Sequence, residues 1–167
     1  MVINLFWSVL CLTPISIFCY RYMPTNWVLT WSLIAVLASF IPTRLLDRLQ
    51  VARSTTTYKI LGVRFINRFI QDGTIINRLI TRKYPQYRPD RQSAAAVEKM
   101  IRQTYMFERF HLGMFVFFLL VTGFALSAHL FLWALALTLF NILFNVYPNL
   151  LQQYNRIRLR RLRASTD

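Results

Sequence analysis

Negative charge is scarce in this chain. Six aspartates and glutamates stand against twenty lysines and arginines, a formal net charge of +14 over 167 residues. The basic residues lie beside apolar runs and not on a separate polar domain, which argues against nucleic acid and for anionic lipid headgroups as the partner. Cysteine is almost missing: Cys11 and Cys19 share the first apolar run, lack metal-ligand spacing, and read as buried thiols instead of a disulfide or ligand pair. His111 and His129 are the only histidines and are expected on opposite sides of a membrane, so no metal site is expected. Four glycines build no phosphate-cradling loop, and there is no G-x-S-x-G elbow, no internal repeat and no low-complexity segment.

Apolar residues are abundant: they make up 56% of the chain, with fourteen phenylalanines, more than a soluble domain of this length has interior to hold. Val2 to Tyr20 carries no charge, and after Arg21 neither does Tyr22 to Thr43. Each is close to the ~20 residues that span a bilayer core. The first has no basic n-region and no A-x-A-like site, so it is not expected to be a cleaved signal peptide. Pro24 and Asn26 mark a tight turn, flanked by Tyr20, Tyr22 and Trp27 as interfacial aromatics. Phe110 to Asn155 is about twice one crossing and must fold back, most simply at "TGFALSAH", Thr122 to His129.

The expected fold is an all-α integral membrane protein of four transmembrane helices, in two hairpins with a basic, helical cytoplasmic segment between them. The spans fall at about 3–20, 25–42, 111–126 and 130–148, within one membrane domain covering 1–167. Fourteen basic residues lie from Arg44 to Arg109 and five follow Asn155, while the two turns hold only Arg21. The positive-inside rule then puts the segment 44–109, the basic tail 152–167 and both termini in the cytoplasm of a multi-pass inner (plasma) membrane protein. Within the segment, "YKILGVRFINRFI" has helical apolar spacing at Ile60, Val63, Ile66, Phe69 and Ile70, as for a helix lying on the membrane surface.

Two polar stripes interrupt the apolar pattern. Val97, Ile101, Thr104, Glu108 and His111 recur at four, three, four and three, on one helix face. Glu108 beside His111 fits either a structural pair that satisfies itself or a carboxylate that orients a general base. Asn141, Asn145 and Asn149, continued by Gln152 or Gln153, put amides along one face of the last apolar helix, next to Pro148. Amides facing lipid are costly, so this stripe points into a helix bundle or lines a wet pocket. Beyond it, Tyr154, Asn155, Arg156 and Arg158 offer directed hydrogen bonds at the membrane surface, whereas Arg160, Arg161 and Arg163 read as a nonspecific electrostatic anchor.

Together, "DGTIIN" (Asp72, Gly73, Asn77), "EKMIRQTYMFERFH" and "NVYPNLLQQYNRIRL" resemble the glycosyl-4,4'-diaponeurosporenoate acyltransferases. These are small membrane enzymes that acylate the sugar of a glycosylated carotenoid, the last step towards staphyloxanthin. The resemblance runs from Asp72 to Leu159 and is most specific in the last motif, with departures at Gln153 and Ile157. It implies an O-acyltransferase with His111 as base and Glu108 orienting it. Asn145, Asn149, Gln152, Tyr154 and Asn155, with Asp72 and Asn77, would then hold substrate, and Arg156 and Arg158 would meet donor phosphates. It further implies no bound cofactor, acyl-CoA or acyl-carrier protein as co-substrate, and a lipid-linked or glycosylated acceptor among membrane lipids. The alternatives are a non-catalytic lipid-binding or complex-stabilising subunit with a membrane-protein partner, and a small lipid methyltransferase or reductase.

Overall fold

The computed structural model describes residues 2–63 and 94–164, and among them every regular element is helical. Asp72 and Asn77 lie outside the described residues. The helices are α1 (Val2–Tyr22), α2 (Thr25–Ser39), α3 (Thr43–Arg48), α4 (Thr55–Ile60), α5 (Ala94–Ser127), α6 (Phe131–Asn141) and α7 (Tyr147–Ala164). A π-helical turn at Ile142–Val146 joins the last two. Ala95–Ser127 and Phe131–Ala164 are long and apolar enough to cross a membrane, and Val9–Tyr22 and Thr25–Ser39 are shorter apolar stretches. Two compact units result. One comprises the described parts of Met1–Pro42 and Glu108–Asn149, the other those of Thr43–Phe107 and Leu150–Asp167.

The first unit packs α1, α5 and α6 around Ile15, Phe18, Phe118, Val121, Ala125 and Leu137. Rings interlock at its centre, with Phe18 5.5 Å from Trp133 and 6.4 Å from Phe124, in the tilted and edge-on geometries aromatics prefer. α2 meets α5 at Gly113, where a Cβ would lie 2.8 Å from the Ala35 carbonyl and collide with Ser39 Oγ. The chain folds back between α5 and α6 through a Schellman cap. The Leu130 N–H donates to the Ala125 carbonyl and the His129 N–H to that of Leu126, with His129 in the left-handed conformation at φ 57°. His129 is therefore a turn residue.

The surface of this unit inverts the rule for soluble helices. Leu132, Leu135, Leu139 and Leu143 recur at three and four along α6 and its π turn and are all exposed, as are Leu29, Leu33 and Leu37 on α2. Asn141, Asn145 and Glu108 are buried instead. Leucine outside and amide inside is the arrangement a hydrocarbon solvent favours, and with the two long apolar helices it points to a membrane location.

The second unit is built on Tyr58, Val63, Leu151, Tyr154 and Ile157. Ser54 caps α4 by accepting from the Thr56 N–H, 3.2 Å. α4 then stops at Ile60, because Gly62 takes φ 75°. The helix expected across Tyr58–Ile70 is thus interrupted, and Ile60, expected on its apolar face, is 82% exposed while Val63 is buried. Ile66, Phe69 and Ile70 lie outside the described residues.

Candidate functional site

Pro148 sets the chemistry of the first unit. Proline has no N–H, so the carbonyl four residues earlier, Phe144 O, loses its helical donor. Phe144 sits inside the π turn, Ile142–Val146, a local widening frequent at functional sites. His111 uses the released group: its imidazole hydrogen bonds to the Phe144 backbone and to the Asn145 side chain. Its Nδ1 is buried with no partner, so both bonds fall to Nε2.

Amides continue the line. Asn145 Nδ2 donates to Asn141 Oδ1 at 2.9 Å, and Asn141 Nδ2 donates to the Phe115 carbonyl at 3.2 Å. With Nδ2 so committed, Asn145 Oδ1 is the acceptor for the imidazole N–H. The donors run in one direction, from His111 on α5 through two asparagines back to α5 at Phe115, one turn away. In its neutral form an imidazole held this way carries its proton on Nε2 and its lone pair on Nδ1. Asn149, one turn beyond Asn145, has a buried Oδ1 without a partner. Glu108 is 2% exposed, on the same face of α5 as His111 and one turn before it.

In the second unit, a carboxylate missed by periodicity collects the cationic residues. Asp47 accepts from Tyr105 Oη at 2.7 and 2.8 Å and from Arg160 at 3.0 Å, and pairs with Arg156 Nε at 3.5 Å. Arg160 also donates to Tyr105 Oη at 2.5 Å. The Arg156 guanidinium stacks 4.3 Å over the Tyr105 ring and is fully buried. Burial disfavours the Asp47 charge, but the bonds from Tyr105 and Arg160 and the charges of Arg160 and Arg156 outweigh it and hold the carboxyl below its ordinary range. Of the other candidates, Tyr154 is buried beneath Arg158, whose guanidinium lies 5.6 Å from its ring; Gln152 and Asn155 are half-buried. Gln153 is the buried glutamine, accepting from Tyr58 Oη at 2.9 Å and the Val51 N–H at 3.1 Å.

This changes the reading of the tail. Arg160 and Arg163 are not free anchors, since they pair with Asp47 and Glu98. Asp47, Tyr58 and Tyr105 were not among the expected residues. The available signal was the scarcity of acids: a lone aspartate among arginines reads as a counter-charge only once its partner is known.

Residues 42–165 match the family model described as CrtO, glycosyl-4,4'-diaponeurosporenoate acyltransferase. No curated protein and no solved structure matches the chain significantly. The matched region contains both the His111–Asn145–Asn141 line and the Asp47 cluster.

Proposed function

Because the chain belongs to the glycosyl-4,4'-diaponeurosporenoate acyltransferase family, we propose that it transfers a fatty acyl group to a hydroxyl of a membrane-anchored glycolipid or glycosylated isoprenoid. The observation that carries the assignment is His111, with one nitrogen fixed by Phe144 and Asn145 and the other, Nδ1, buried and open. In this reading Nδ1 accepts the proton of the acceptor hydroxyl as its oxygen attacks the carbonyl carbon of an acyl thioester. The C–S bond breaks, and the imidazolium returns its proton to the departing thiolate. Phe144 O and Asn145 Oδ1 stabilise the imidazolium between those steps. In this reading the side-chain N–H of Asn149 donates to the oxyanion, and Glu108 acts as a positioning residue one turn from the base. The donor is acyl-CoA or an acyl-carrier protein.

The proposal includes four crossings, with the segment 44–109 and both termini in the cytoplasm, supported by the concentration of basic residues there. The chemistry is tested by mass spectrometry of lipid extracts from cells with and without the protein, and then with purified protein in nanodiscs. An added acyl chain that disappears in folded His111→Ala supports it. An unchanged lipid profile favours a lipid-binding subunit, and an added methyl group or lost double bond favours the methyltransferase or reductase alternative.

A further inference from the structure

We propose that the groove beside the C-terminal part of α7 is a binding site for a phosphate ester, gripped by Arg53, Arg160 and Arg161. The groove has a volume of about 470 Å³ and lies wholly within the second unit. Asp47, Gln50 and Arg53 come to it from α3 and the segment that follows, and Ile157, Arg160 and Arg161 from α7.

Charge identifies the ligand class. Asp47 is the one carboxylate lining the groove among the described residues, and Tyr105, Arg160 and the buried Arg156 already engage it. Among the described residues, three guanidinium groups, those of Arg53, Arg160 and Arg161, therefore line the groove with a single carboxylate, a local excess of two positive charges. Arg53 and Arg161 are exposed and make no ion pair among the described residues. Arg160, by contrast, is held in place by Asp47 and Tyr105, so one fork is already positioned before any ligand arrives. Planar forks from several sides suit the tetrahedral, multiply charged oxygens of a phosphate better than one carboxylate. Ile157 adds an apolar floor, and the volume admits a group larger than phosphate alone.

Two sources share this chemistry: the phosphates of a coenzyme-A-type donor and an anionic phospholipid headgroup. Only the first depends on the acyl-transfer reading. The test is calorimetric titration of inorganic pyrophosphate into the full chain in phosphatidylcholine nanodiscs. Saturable binding is expected, weakened about tenfold or more by Arg53→Gln with Arg161→Gln and less than about twofold by the charge-matched Arg44→Gln with Lys59→Gln. No saturable binding, or equal weakening in both doubles, overturns the site. Should the glutamine double fail to fold, Arg53→Lys with Arg161→Lys replaces it, keeping charge but losing the forks; binding as tight as in the unmodified protein would overturn the site.

Competition separates the sources. Displacement of pyrophosphate by coenzyme A assigns the groove to the donor, and displacement on adding phosphatidylglycerol to the nanodiscs assigns it to a headgroup. Both support a phosphate-ester site, and displacement by neither overturns it. Acyl transfer is read separately on the same samples. Pyrophosphate binding without any transfer keeps the groove and sinks the acyl-transfer reading, whereas transfer without pyrophosphate binding does the reverse.

Discussion

At the scale of single residues, His111 and Asp47 are defined by their partners. The imidazole donates through one nitrogen to Phe144 and Asn145, so replacing either end of that arrangement has a different expected effect. On the proposed mechanism His111→Ala removes the base and should lower turnover by ~10²–10⁴-fold. Asn145→Leu leaves the base but frees its orientation, and should lower turnover by ~10–100-fold, the value of one hydrogen bond to a developing charge. Steady-state assays on both purified variants check the order. Asp47 carries a pH dependence. Its folded pKa is depressed below the unfolded value, so its contribution is complete above the ordinary carboxylate range and is lost as pH falls through the folded pKa. Thermal melts in detergent should show a loss of stability on acidification that Asp47→Asn weakens. At neutral pH that variant should lose about 1 kcal/mol, a small figure because the Asp47 side chain is 37% exposed.

At the scale of elements, the two long apolar helices and the polar stripes on them were readable from period alone. Asn141 and Asn145 face inward because outward-facing amides have no partner in hydrocarbon, a constraint any spacing argument carries. The π turn was not readable. Its cause is a missing donor at Pro148, which the sequence states, but whether the helix answers by kinking or by widening depends on what takes the freed carbonyl. That taker is His111, thirty-three residues earlier. Asp47 escaped for a similar reason, since its partners Tyr105 and Arg160 are 58 and 113 residues away and no local pattern joins them. Pro148→Ala restores an N–H for the Phe144 carbonyl, so the protein should stay folded while turnover drops towards the Asn145→Leu level. Unchanged turnover in a folded Pro148→Ala would show that the released carbonyl has no role. Gly113 tests packing instead of chemistry. An added Cβ must push back the Ala35 backbone, and Gly113→Ala should destabilise by ~1–3 kcal/mol, with Ser39→Ala rescuing only part because the carbonyl contact persists.

At the scale of the whole molecule, the question is which solvent each segment meets. The exposed leucines of α2 and α6 have no reason to face water, and the long runs Ala95–Ser127 and Phe131–Ala164 supply the length for crossings. Direction comes from charge: a Lys or Arg near a span is retained on the cytoplasmic side. Fourteen such residues lie from Arg44 to Arg109 and five after Asn155, against Arg21 alone in the turns. Reporter fusions after Gly73 and after Asp167 should both report cytoplasm, and one after Pro24 the opposite side. The fusion at Pro24 is the most exposed of the three, because α2 has only 15 residues and is shorter than the ~20 that a perpendicular crossing uses. If α2 instead enters and leaves the same face, Pro24 and Gly73 will report the same side, and a crossing by α1 alone would put the N-terminus on the other. A fourth fusion at the N-terminus therefore decides between a crossing pair and a single crossing: cytoplasm at both the N-terminus and Gly73 requires that α1 and α2 cross together or not at all, and an outside report at Pro24 selects the first.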